Sequence, residues 1–311
     1  MIMITTTTMV ITMIMTIAAM VMAVIADDAF QLPACRTSGR TIMASREEPT
    51  RRVVLGTGMA LGAAAAVGSA SQTDAQSAQK TFVLVHGAWH GGWCWRRVAD
   101  RLERQGHKVY TPTLTGLGER SHLMNGKIDL DTHITDIVNV VKWENLRDIC
   151  LVAHSYGGWP ASGALEQILD RVASVVFLDA FVPEDGQMGF DFASEFSRKG
   201  TIEAQHKGEI SRPAPPATAF HVNETDLAWV DSKMTPQPLA LAFSIIKLTG
   251  AREKIAKKTY IRAPAYPQPA FDKYYAAKKA DPAWRTYEVT CGHDVMIDMP
   301  DRLVEILLES A

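Results

Sequence analysis

The segment Ala153-His154-Ser155-Tyr156-Gly157 sets a serine between single-residue spacers and small flanking residues. It is the G-x-S-x-G pattern with alanine in the first place. The apolar run "DICLVA" leads into it, and a helix-like stretch from Tyr156 to Leu169 follows. Such a serine sits on a sharp strand-to-helix turn, backbone strained, hydroxyl exposed at the sheet edge. Small neighbours are needed because the two backbones nearly touch, and alanine adds only a methyl group. The chemistry of an exposed serine hydroxyl is nucleophilic attack on a carbonyl carbon, provided that an imidazole takes its proton.

That imidazole is expected from "CGHDVMIDMP", where His293 follows the last strand-like run. A base late in the chain fits the order serine, acid, histidine. It must be neutral to accept the proton, so activity is expected to rise with pH. The other histidines sit in loops, in a helix or beside the serine. The glycine-rich loop "VHGAWHGGWCW" can aim backbone N–H groups at a carbonyl oxygen, and each such donor is worth about 3 kcal/mol against a developing oxyanion. Ala88 and Tyr156 are assigned as the oxyanion-hole donors, and His86, Gly87, Trp89 and His154 as the wall of the substrate pocket.

A triad also needs a buried carboxylate to accept Nδ1–H of the base and stabilise the imidazolium. Asp179 ends the apolar run "SVVFL", one strand after the serine strand and therefore beside it in a parallel sheet. Asp272 is the main rival, but "PAFDKYYAAKK" reads as a helix that would carry it from the edge. Asp294 adjoins the base, and adjacent side chains rarely meet in the required geometry. Asp179→Asn is expected to lower turnover with little change in stability.

The elements that must position these groups alternate. "TFVLVHG", "HKVYTPT", "DICLVAHS", "VASVVFLDAFVP", "KTYIRAPA" and "WRTYEVTCGHD" read as strands. Between them, Val98, Ala99 and Leu102, then Ile134, Ile137, Val138 and Val141, recur at helical spacing. Leu303, Ile306 and Leu307 mark a closing helix. Strand–helix alternation predicts an α/β fold: a mostly parallel sheet with helices on both faces. Residues 184 to about 256 break the rhythm and are too long for a crossover. They are read as a small cap inserted after the strand ending near Asp179, over the carboxyl edge where ligands bind.

The 311 residues carry 32 basic and 34 acidic side chains. That balance offers no electrostatic footprint for nucleic acid. The four cysteines form no CxxC or Cys/His spacing suited to zinc, so they read as buried thiols and no metal or cofactor is expected. Residues 1–42 include an uncharged Met/Thr/Ile/Ala run and read as an over-extended N-terminus or apolar leader. Residues 43–78 have a charged start, Arg51-Arg52, a Gly/Ala-rich run and small residues near Ala70, Ala75 and Ala78. They resemble a twin-arginine export signal. The expected partner of this leader is the export machinery, and the expected location is periplasmic or secreted. The folded domain is expected over 79–311.

Four blocks, "FVLVHGAWHGGWCW", "AHSYGG", "FLDAFVPEDGQ" and "GHDVMIDMP", resemble the α/β-hydrolase superfamily. They are most similar to the branch of EstC-type and pyrethroid-hydrolysing bacterial esterases, plant methyl esterases and hydroxynitrile lyases. The resemblance covers about residues 80–311. It implies a cofactor-free Ser-His-acid enzyme with Ser155 as nucleophile and His293 as base. In these relatives the acid usually follows the strand matching "KTYIRAPA", where this chain reads Ala263-Pro264-Ala265-Tyr266. Some α/β-hydrolases instead carry it after the strand that Asp179 ends. Similar lyases have a threonine after the first-strand histidine and a lysine after the base; here these are Gly87 and Asp294. The expectation is therefore a carboxylesterase acting on an apolar or aromatic small-molecule ester rather than a charged one. A hydroxynitrile lyase-like enzyme and a non-catalytic binding protein are the alternatives.

Overall fold

The computed structural model describes residues 78–311 apart from Ser194. The readings of 1–42 and, save its last residue, of 43–78 lie outside the described residues.

Six parallel strands form the main sheet: β1 (Thr81–Val85), β2 (Lys108–Tyr110), β3 (Ile149–His154), β4 (Val172–Leu178), β7 (Lys257–Arg262) and β8 (Trp284–Glu288). Their spatial order is β2-β1-β3-β4-β7-β8, so the serine strand is central, with β4 directly beside it. All six residues of β3 are buried. Alternation along the strands sorts their side chains into two apolar layers. Val83, Leu151, Ala153, Val175 and Phe177 pack with α2 (Leu130–Trp143) and α3 (Gly158–Ile168). Phe82, Leu84, Val152, Val176 and Leu178 pack with α1 (Arg96–Arg104) and α7 (Pro300–Ser310). Helices thus cover both faces, as the alternation predicts.

Local chemistry sets the helix starts. The Asp129 carboxylate accepts the Thr132 N–H at 2.9 Å, satisfying one of the orphan donors that open α2. The helix expected from Tyr156 to Leu169 begins only at Gly158, because Ser155 has φ 52° and the chain first makes a tight turn over Ser155–Gly157. At Gly158 a Cβ would lie 1.9 Å from the Phe181 carbonyl oxygen, so glycine is required there.

Between β4 and β7 the chain makes an excursion holding α4 (Glu195–His206), the short antiparallel pair β5 (Ser211–Arg212) and β6 (Gln237–Pro238), and α5 (Leu227–Lys233). Asp272 lies on α6 (Pro269–Lys279), which leads back to β8. No helix of the described residues is long and apolar enough to cross a membrane. Cys94, Cys150 and Cys291 are free thiols, and Cys94 and Cys150 are buried.

Candidate active site

Ser155, Asp179 and His293 follow three strands, β3, β4 and β8, at the carboxyl edge of the sheet, and meet. Ser155 Oγ is 2.8 Å from His293 Nε2, and His293 Nδ1 is 2.6 Å from Asp179 Oδ2. The carboxylate makes Nδ1 the donor, which leaves Nε2 to accept from the serine hydroxyl. Among the described residues six non-glycines have positive φ, and three of them are here: Trp89 at 62°, Ser155 at 52° and Asp179 at 42°. Such backbone is costly and persists where the surroundings over-determine it.

Those surroundings are visible. The Asp179 backbone N–H donates to the Ile261 carbonyl at 2.7 Å, and the Phe181 N–H to the Ser155 carbonyl at 3.1 Å. Asp179 is fully buried, and its second oxygen accepts from the Ala263 N–H at 3.0 Å and the Arg262 guanidinium at 2.6 Å. Arg262 also donates to the carbonyls of Ala263 and Tyr266, both at 2.7 Å, and pairs with Asp272. Asp272, 63% exposed, is therefore a counter-ion of Arg262 and makes no hydrogen bond to His293. The His293 ring lies against Tyr266, centroids 4.3 Å apart, with Phe220 and Phe271 nearby and near-parallel.

The serine and His293 open into a cavity of about 290 Å³. Ala88, Trp89 and Tyr156 line it. Its other walls are largely aromatic, including Trp159, Phe181, Phe190 and Phe192. The excursion between β4 and β7 supplies much of this lining.

Three residues expected in the pocket wall do not reach the cavity, which corrects that part of the sequence reading. His86 is buried; its Nδ1–H donates to the Gly87 carbonyl at 2.8 Å, and Nε2 accepts the Leu114 N–H at 3.0 Å. Burial lowers its pKa to about 3, so it is a neutral clamp between two loops. His154 lies behind His293 and donates from Nε2 to the His293 carbonyl at 3.0 Å. Burial, then the neighbouring His293, drives its pKa well down. Gly87 is close to the serine, but its role is steric: a Cβ there would lie 2.9 Å from both His154 Nδ1 and Ser155 Cβ.

Sequence reasoning did not find the pair behind this wall. Asp294 is fully buried and turned away from the cavity, with Oδ2 3.1 Å from His90 Nε2. His90 Nδ1 also faces an acceptor, the Ala88 carbonyl at 2.7 Å. Two acceptors on two ring nitrogens require an imidazolium. Burial opposes that charge, but Asp294 prevails and the His90 pKa is raised. Burial likewise opposes the carboxylate, but His90 and His154 bring Asp294 down to about 2. Among the described residues no cluster of side chains is suited to holding a metal ion.

A doubly covered parallel sheet with a serine-bearing turn after its central strand defines a class, and the comparisons agree. Residues 82–306 match the model of the alpha/beta hydrolase family, and the chain belongs to that family. It is 38% identical to the carbendazim hydrolyzing esterase of Nocardioides sp. (strain SG-4G) over 236 residues, 73% of this chain and 97% of that protein. It is 26% identical to esterase PIR7B of Oryza sativa subsp. japonica over 259 residues, 76% of this chain and 97% of the relative. An extracellular alpha/beta-hydrolase from a Paenibacillus species superposes with a TM-score of 0.64 at 25% identity, covering 75% of this chain and 99% of that one. The protein is an esterase-type serine hydrolase.

Proposed function

We propose that Ser155 is the nucleophile, His293 the general base and acid, and Asp179 the triad carboxylate, acting on an aromatic small-molecule ester. The observation that carries this is the continuous hydrogen-bonded line Ser155 Oγ, His293 Nε2, His293 Nδ1, Asp179 Oδ2. His293 accepts the serine proton as Oγ attacks the ester carbonyl, and Asp179 stabilises the resulting imidazolium. The oxyanion turns to the N–H groups of Ala88 and Tyr156. The imidazolium then protonates the departing alcohol, leaving the acyl group on Ser155. A water deprotonated by His293 releases the acid. The aromatic cavity walls favour a flat, apolar ester body.

The test is a burst of p-nitrophenol from p-nitrophenyl esters, absent in Ser155→Ala. Cyanide release from mandelonitrile without the burst would favour the lyase reading, and neither signal would favour a binding protein. The Arg51-Arg52 pair and the Gly/Ala-rich run after it support export to the periplasm or beyond.

A further inference from the structure

Part of the cavity lining is polar in a way that the aromatic walls do not explain. Arg212 and Gln237 line it. They are direct cross-strand partners in the β5–β6 pair, so their side chains share one face. Gln237 is 2% exposed; its Oε1 accepts the Trp89 N–H at 2.9 Å, which turns the amide nitrogen the other way. That nitrogen is buried and has no acceptor among the described residues. The Arg212 guanidinium lies over the Trp89 ring at 5.5 Å. One of its terminal nitrogens donates to Ser197 Oγ at 3.2 Å and Thr201 Oγ1 at 3.3 Å, while Nε is buried with no acceptor among the described residues. Burial lowers its pKa, yet an arginine stays charged.

Among the described residues no carboxylate pairs with that charge. The cavity lining contains no Asp or Glu. Two other arginines of the described residues, Arg97 and Arg262, are neutralised by Asp226 and by Asp179 with Asp272. A partly buried cation without a counter-ion is unfavourable unless something supplies one. Two neighbouring donors on a shared face suit a planar group with two acceptor oxygens.

We propose that Arg212 and Gln237 form a carboxylate-binding subsite, and that the enzyme acts on aromatic esters carrying a free carboxylate away from the scissile bond. This rests on the serine-esterase reading and deepens it. It reverses the expectation of an uncharged substrate: the ester body is apolar, but it carries an anionic group.

The experiment uses two matched series with the full chain. In one, p-nitrophenyl benzoate is compared with the p-nitrophenyl esters of the three isomeric benzenedicarboxylic acids. In the other, phenyl acetate is compared with the three acetoxybenzoates. The subsite predicts that at least one carboxylate-bearing ester exceeds its neutral parent in kcat/KM. In Arg212→Met that ratio should fall by about 10- to 100-fold, mainly through KM, as loss of a charged hydrogen-bond partner implies. Arg212→Lys should restore part of it. A neutral parent preferred over every isomer, or an unchanged ratio in Arg212→Met, overturns the proposal while leaving the esterase reading intact. Absence of turnover with all the esters overturns both.

Discussion

Asp179 and His293 are 114 residues apart in the chain and 2.6 Å apart in the fold, joined by Oδ2 and Nδ1. The carboxylate is fully buried, and its other oxygen is held by Arg262 and the Ala263 N–H. The strand after which relatives usually carry the acid is here the one that ends in this arginine.

Asp179→Asn should lower kcat by about 10⁴, because the amide favours the wrong tautomer of His293. The neighbourhood changes one sequence expectation: stability should also fall, on the order of 1–3 kcal/mol, since Arg262 loses a buried charged acceptor. Asp272→Asn should keep most activity, because Asp272 contacts Arg262 and is largely exposed. Steady-state kinetics and thermal melts of both variants check this; large loss only in Asp272→Asn would move the acid.

The six strands were legible because buried parallel strands are short, continuous apolar runs, as "CLVA" in β3 is. The turn that carries Ser155 was legible because it demands small residues on both sides, and the place of Asp179 beside it because Asp179 follows an apolar run next to the serine strand. His86 and His154 were not, because their partners, the Leu114 N–H and the His293 carbonyl, are 28 and 139 residues away. Nothing in local spacing says whether such a ring faces the cavity or the layer behind it. Arg212 and Gln237 were missed for a related reason: they sit in two-residue strands without periodicity, and only pairing makes them neighbours.

The His90–Asp294 pair should make stability depend on pH in a defined window. The Asp294 pKa is depressed from 3.8 to about 2, so its contribution is complete above 3.8 and lost as pH falls through 2. The His90 pKa is raised above 6.5, so its contribution is complete below 6.5 and lost as pH rises through the folded value. The pair therefore contributes most between about pH 4 and 6.5. Asp294→Asn should cost about 3–5 kcal/mol there, as breaking a buried pair does, and less at alkaline pH. Melting temperatures of both proteins from pH 4 to 9 check this; parallel curves would contradict it.

Gly87→Thr installs the residue that similar lyases carry, yet it should lower esterase activity without producing cyanide release from mandelonitrile. The new Cβ would press on His154 Nδ1 and Ser155 Cβ at 2.9 Å, displacing the serine. Unchanged kcat would show that the loop has room the structure does not display.

Export should depend on the arginine pair. Arg51→Lys with Arg52→Lys is expected to leave folded, active precursor in the cytoplasm of a host with a twin-arginine system. Fractionation and an ester assay measure this, and normal periplasmic activity of the double variant would remove the leader reading.

Phosphonate labelling reads the central claim directly. A p-nitrophenyl alkylphosphonate should release one equivalent of p-nitrophenol per chain and leave its phosphonyl mass on the peptide containing Ser155. Ser155→Ala should take no label, keep its fold and lose turnover on the order of 10⁶ in kcat. Label mapping to another residue, or near wild-type turnover by Ser155→Ala, would contradict the account.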